Sequence, residues 1–339
     1  MFCEAGSGLS TRLFLESGRV DSYMSQFDFD ALPRQTKALI WFARRWPFHR
    51  GCTRLQQLVA GSLAGRKPIV AATLAGSHLD ILAPWADALG KVVVTFGDNE
   101  PDVFRFICLC LTFRQPAQDF FIDVGANLGV FSLRIAERFS GVRVRSYEPH
   151  PTVAALLQCN ILRNGLGAQI HVRQIALGDR DRPAHLGTTA NDSGVSSIND
   201  SSSGISISMR RLVTEMSLDE WKRVAVIKID VEGYELGVLR GGVALFQDYR
   251  PPLVFEVNRP ALAANGLTPL DLGRFVRELG YSRLFALDKV LYPPENGLYD
   301  VCNMVALADG ESDLIEKFGF NSSFKPRSRK LWPVVHFEI

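Results

Sequence analysis

The chain has 339 residues, of which 47 % are apolar and 22 % charged, which excludes global disorder and provides enough apolar material for a large packed core. Lys plus Arg (38) nearly balances Asp plus Glu (36), so the net charge of +2 gives no electrostatic ground for nucleic acid as a main partner. Six scattered cysteines form no framework, and Cys108 and Cys110 sit in an apolar run, which reads as core thiols of a reduced, cytoplasmic protein.

Residues 1 to 30 carry no strong pattern, and no basic segment leads into a long apolar run, so no signal peptide is expected. Between Ala31 and Gly61, Leu39, Phe42 and Trp46, then Leu55, Leu58 and Val59, recur at helical spacing, with Pro47 and Gly51 dividing two helices. Arg44, Arg45, Arg50 and Arg54 read as a solvated helix face, with contact to a membrane or an acidic partner as the alternative. From Pro68 the texture shifts: Ile69 to Ala72 and Lys91 to Phe96 predict strands, with turn signals at Gly76, Pro84 and Gly90. A helix near Val103 to Phe113 follows. Its parent apolar stretch, Phe104 to Phe113, is far short of the roughly 20 residues of a membrane span.

From Gln118 the rhythm becomes βαβαβ. Strands are predicted at Phe120–Val124, Val142–Tyr147 and Ile170–Ile175, and helices at Leu128–Phe139 and Val153–Leu162. That order argues for a parallel, doubly wound α/β sheet. Ala184–Thr189 and Ile205–Arg210 then predict a hairpin around Asn191 to Gly204, a mobile loop with the composition of a substrate lid. The rhythm resumes with strand Val224–Ile229, helix Glu235–Phe246, strand Leu253–Val257, helix Pro269–Leu279 and strands Ser282–Leu287 and Cys302–Leu307. The tail, with Lys325, Arg327, Arg329 and Lys330, reads as solvated. The organisation is an N-terminal helical extension (1–66), a small β/α accessory segment (67–117), a catalytic domain (118–310) and a tail (311–339).

The stretch Asp123-Val-Gly-Ala-Asn-Leu-Gly129 follows a buried strand and opens a helix. Gly125 permits a tight turn and close ligand approach, and Gly129 permits close helix packing. Such a turn serves NAD, FAD and S-adenosyl-L-methionine (SAM). The Gly-x-x-x-Gly spacing lacks the middle glycine that admits a pyrophosphate, and Asp123 suits the amino group of a methionyl moiety. Glu148, ending the second strand, is placed to accept ribose hydroxyls, and Asn160 in the next helix is a candidate for the same crevice. Asp230 and Glu232 end the fourth strand, where the strand order reverses and ligands bind.

Phe121-Ile-Asp-Val-Gly-Ala-Asn-Leu-Gly129, Tyr147-Glu-Pro149, Ala176-Leu-Gly-Asp179, Ser193-Gly-Val-Ser-Ser197, Ser217-Leu-Asp219 and Ile227-Lys-Ile-Asp-Val-Glu-Gly-Tyr-Glu235 stand in an order that resembles the FkbM family of class I SAM-dependent methyltransferases. The resemblance covers roughly residues 118 to 260. It implies a Rossmann-like seven-stranded sheet with an antiparallel last strand, SAM as donor, and usually a hydroxyl acceptor on a sugar, polyketide or other secondary metabolite. Carried over by position, Asp123, Gly125, Asn127, Glu148, Asn160 and Asp230 look like the cofactor pocket. Gly129 opens its helix, and Ala176 to Asp179 would lie near the adenine.

The expected reaction is O-methylation by positioning and desolvation. Glu232 is the first candidate base and Glu256 the second, with His185 and His150 weaker. Glu256 and Asn258 with Asp230 offer an alternative Mg²⁺ site, but a metal-free mechanism is the expectation. An NAD-dependent oxidoreductase is disfavoured by the glycine spacing. A non-catalytic SAM-binding protein and N-methylation remain alternatives, although no Asn-Pro-Pro-Tyr turn follows the fourth strand. The expected partner is a small-molecule or glycan acceptor, and a homo-oligomer is compatible with the sequence.

Overall fold

A computed structural model of the chain describes residues 29–45, 52–114, 116–189, 192–199, 204–287 and 301–318. An accessory layer comes first: β1 (Phe29–Ala31), α1 (Arg34–Arg45), α2 (Cys52–Ser62), β2 (Ile69–Thr73), β3 (Asp80–Pro84), α3 (Ala88–Phe96) and α4 (Pro101–Arg114). The first three strands form a small sheet in the order β1-β2-β3. Then follow β4 (Phe120–Val124), α5 (Val130–Arg138), β5 (Arg143–Tyr147), α6 (Pro151–Arg163) and β6 (Ile170–Arg173). A second small sheet is built from β7 (Ala176–Leu177), β8 (Arg182–Thr189), β9 (Asp192–Asn199) and β10 (Ile205–Arg210), in the order β7-β10-β8-β9. The chain continues through α7 (Leu212–Glu215), α8 (Leu218–Trp221), β11 (Val224–Ile229), α9 (Glu235–Arg240), α10 (Val243–Tyr249), β12 (Leu253–Asn258), α11 (Arg259–Ala264), α12 (Pro269–Glu278), β13 (Arg283–Ala286), β14 (Val301–Leu307) and α13 (Ser312–Phe318).

The main sheet has seven strands in the order β13-β14-β12-β11-β4-β5-β6. β12, β11, β4, β5 and β6 run parallel, and β14 runs antiparallel to both β12 and β13. This is the Rossmann-like architecture with one reversed strand. Alternate side chains of the central strands enter opposite cores. Phe121, Val144 and Val254 join the core under α4, α5 and α6, while Phe120, Ile122, Val124 and Phe255 join the core under α9, α10 and α12. β4 lies beside β11, and its crossover leads to β5 while that of β11 leads to β12. The order therefore reverses between β4 and β11, and a crevice opens at their carboxyl ends.

Five expectations need correction. Lys91 to Phe96 is helix α3, not a strand. Its β-branched run favoured a strand locally, but Val93 and Val94 are buried and the helix closes on left-handed Gly97. Gly90 is no turn: a Cβ there would lie 1.8 Å from the Pro84 carbonyl oxygen, so glycine permits the helix to sit on β3. Most of the proposed loop Asn191–Gly204 is strand β9, paired with β8 through backbone hydrogen bonds that its polar composition does not forbid. The helix predicted over 235–246 is divided at Gly241–Gly242, where the backbone passes so close to Gly178 that a Cβ on Gly241 would lie 2.0 Å from its carbonyl oxygen.

Finally, the start of the tail is not solvated. In α13, Leu314 and Ile315 are buried, and Phe318 packs edge-on against Phe106 of α4 with ring centroids 5.4 Å apart. Lys325, Arg327, Arg329 and Lys330 lie outside the described residues, as do residues 1–28.

Candidate active site

The crevice is a cavity of about 320 Å³, within the size range of small-molecule sites. Its floor is the β4–α5 turn. Gly125 takes φ +78°, and a Cβ there would lie 1.8 Å from the Asp230 carbonyl oxygen, so the turns after β4 and β11 cross in contact. Gly129 takes φ +86°, and a Cβ there would sit 2.3 Å from Leu157 of α6, so glycine brings α5 and α6 together. Neither role depends on a ligand. Four non-glycine residues among those described have positive φ, and three of them, Glu100, Asn127 and Glu232, line the cavity. Backbone strain is thus concentrated at this site.

Glu148 stands at the end of β5, buried and on the cavity wall. Its Oε2 accepts from Asn127 N–H at 3.0 Å and its Oε1 from His150 N–H at 2.9 Å. Both oxygens are fixed, and a carboxylate retains further lone pairs for ligand donors. Burial pushes its pKa up to about 7 against those two hydrogen bonds. The neighbouring sequence explains the geometry: left-handed Asn127 turns its N–H onto Glu148, and Pro151 starts α6 directly after His150. His150 is not an exposed loop residue. Its Nδ1 accepts from Val153 N–H and caps α6, and burial lowers its pKa.

The end of β11 supplies charge. Lys228 is buried, lines the cavity, and pairs with Asp230 at 2.8 Å. Burial opposes its charge, but Asp230 and Asp123 outweigh that and hold the ammonium above its ordinary pKa. Asp123 lies one layer deeper. Its Oδ2 accepts from Ser132 at 2.6 Å, its Oδ1 has no hydrogen-bond partner, and burial raises its pKa. Asp230, Glu232 and Glu256 bring one carboxylate oxygen each within 4.8 Å of one another. Glu256 Oε2 is buried with no hydrogen-bond partner. Burial, then the charges of Asp230 and Glu232, push Glu256 up to about 9. Asn258 Nδ2 donates to Glu232 at 3.3 Å. Behind this group, Glu235 accepts from the Val231 and Gly233 N–H groups and fixes the turn.

Gly125, Asn127, Glu148, Asp230, Glu232 and Glu256 therefore meet at one cavity. Asn160 does not reach it. Its amide is engaged with Leu82 N–H (2.7 Å), the Leu82 carbonyl (3.2 Å) and the Leu128 carbonyl (3.0 Å), bracing α6 to β3 and to the glycine turn. Asp179 also lies off the cavity lining. It pairs with Arg180, which holds its carboxyl below the usual range, and it accepts from the Tyr234 hydroxyl at 3.3 Å. From that stretch it is Ala176 and Leu177 that line the cavity. His185 is likewise not on the lining.

Two charged lining residues had no assigned role in the sequence. Lys228 carries a readable signal, a lone cation inside the apolar strand Val224–Ile229. Glu100 carries none. It arrives from the accessory layer, before α4, and is held by Asn303 Nδ2 at 2.6 Å and Asn99 Nδ2 at 3.3 Å.

The donor set suits a cationic nucleoside. A fixed, buried carboxylate awaits hydroxyl donors at Glu148, apolar Ile175, Ala176 and Leu177 form a wall beside it, and the acids on the lining outnumber the one lysine. The fold and the site fit a class I methyltransferase, a class for which SAM is the methyl donor. Residues 123–283 match the model of the methyltransferase FkbM domain family. It is 27 % identical over 186 residues to "Methyltransferase 1" of Beauveria bassiana (strain ARSEF 2860), covering 48 % of this chain and 72 % of that protein. Among solved structures, methyltransferase FkbM from Methylobacillus flagellatus KT matches with a TM-score of 0.40 and 16 % identity over 80 % of this chain. The present chain spans only 59 % of that protein's chain. The METTL16 methyltransferase domain matches with a TM-score of 0.42 and 10 % identity, covering 86 % of this chain and 89 % of that one.

Proposed function

We propose that this chain is an O-methyltransferase acting on a hydroxyl of a sugar or other small metabolite. The observation that carries the reading is the convergence of Glu148 and the Asp230, Glu232 and Glu256 carboxylates on one cavity. When bound, SAM supplies a methyl group already activated for attack. Glu148 accepts the ribose hydroxyls, and the Gly125–Asn127 turn supports the same end of the donor. Lys228 holds Asp230 in place, and the remaining carboxylates balance the donor's positive charge. The acceptor O–H gives its proton to Glu232, or to Glu256 once the donor's positive charge has returned that carboxyl to its ionised form, as the oxygen takes the methyl group. Glu256 already shares a confined space with two other carboxyls, so a proton can be held among the three. The same acid excess also suits an amine acceptor, so the acceptor screen includes amines.

The test is calorimetric titration of the purified chain with S-adenosylhomocysteine, with NAD⁺ in parallel. Homocysteine-form binding that is lost in Glu148→Ala, with no NAD⁺ binding, supports the pocket. Turnover on the acceptor found with labelled SAM should then fall by about 10²-fold or more in Glu232→Gln or Glu256→Gln, with cofactor affinity retained. Normal turnover in both variants removes these residues as bases. Activity lost in EDTA and restored by Mg²⁺ assigns the three carboxylates to a cation instead.

A further inference from the structure

Between Asp30 and Asp80 the chain contains no acidic residue, yet it carries eight Lys and Arg, in a protein whose total charge is almost balanced. The stretch builds α1 and α2, which are packed together and tied by Thr36 Oγ1 and Ser62 Oγ at 2.9 Å. Ile40 and Ala43 of α1 and Leu55 and Val59 of α2 face the core. The remaining faces present Arg34, Lys37, Arg45 and Arg54 to solvent, and Arg66 is exposed in the turn after α2. Among these cations stand large exposed apolar side chains: Trp41 is 59 % and Leu58 57 % exposed, and Phe42 is 46 % exposed. The Arg45 guanidinium lies 4.1 Å from the centre of the Trp41 ring, so the aromatic and a cation are presented together.

We propose that this outer face of α1 and α2 docks on an anionic lipid surface. Cations without intervening acids meet the headgroup charge, and exposed Trp, Phe and Leu enter the headgroup–acyl boundary. The occupant is chosen by both features at once. Phosphate charge alone, as on a nucleic acid, accounts for the arginines but gives no reason to expose leucine beside them. No described helix is long and apolar enough to cross a membrane, so the contact is peripheral. α3, against which both helices pack, contributes Leu89 and Val92 to the cavity wall.

The test is co-sedimentation of the full chain with vesicles of equal parts phosphatidylglycerol and phosphatidylcholine, against phosphatidylcholine alone. Binding to the anionic vesicles only, weakened by salt, is expected. Trp41→Ala with Phe42→Ala, and separately Arg45→Glu with Arg54→Glu, should each weaken it tenfold or more while S-adenosylhomocysteine binding is unchanged. Equal sedimentation with both vesicle types, none with either, or binding indifferent to both double variants overturns the proposal. Retention of the chain by duplex DNA at the same ionic strength, with no vesicle binding, assigns the face to nucleic acid instead.

Discussion

At the scale of single residues, gathering carboxylates at the site is costly, and Glu256 shows why. Its pKa is pushed from 4.5 to about 9 by burial and by Asp230 and Glu232. A carboxyl whose folded pKa lies above its unfolded value binds its proton more tightly in the fold. Stability from this group is therefore full below pH about 4.5 and is lost as pH rises towards 9. Glu256→Gln removes the titrating charge and keeps the volume. The variant should gain over the parent across that window, reaching on the order of 1–3 kcal/mol at its upper end. Chemical denaturation of both proteins at several pH values checks this. Parallel curves at all pH values would place the shared proton elsewhere in the cluster. A gain in stability joined to a loss of turnover is the pattern expected where like charges are held together for function.

At the scale of elements, Asn160 separates a bracing role from a ligand-binding one. Its amide satisfies the Leu82 N–H and the Leu82 and Leu128 carbonyls, all within the fold. Asn160→Ala leaves these backbone groups without partners, at a cost of roughly 2–4 kcal/mol. The midpoint of thermal unfolding should fall, while S-adenosylhomocysteine affinity below the transition changes less than threefold. An affinity loss of tenfold or more in the folded variant would return Asn160 to the cofactor pocket. This residue also marks how far the sequence could be read. The parallel strands announced themselves as apolar runs, and the acids at the ends of β4, β5 and β11 followed from the topology. Asn160 shares the helix that follows Glu148, but nothing local tells that its amide turns to β3. The strand expected at Lys91–Phe96 fails for a related reason: Val92-Val93-Val94-Thr95 has strand propensity, and packing against β2 and β3 favours a helix instead. Glu100 was invisible because its approach to the cavity is set by contacts with Asn303, 203 positions away in sequence.

At the scale of the molecule, the accessory layer and the methyltransferase sheet share one core. A single buried cluster runs from Ile40 through Phe106, Phe121 and Val254 to Ile315. α4 alone contributes Val103, Phe106, Ile107, Cys110 and Leu111, each fully buried. Burial of one large apolar side chain is worth about 1.5–3 kcal/mol, so removal of α4 forfeits roughly 7–15 kcal/mol. That is comparable to the whole stability of an ordinary domain, about 5–15 kcal/mol. Removal of residues 1–117 should therefore not release an independent methyltransferase domain, even though the family match begins at residue 123. The full chain should melt in one transition that S-adenosylhomocysteine raises. The shortened chain should lose its near-ultraviolet circular dichroism and its ligand binding together. A shortened chain that still melts cooperatively and binds the ligand as tightly as the parent would show that the accessory layer is an attachment. It would then follow that Glu100, Leu89 and Val92 border the cavity without being needed to form it.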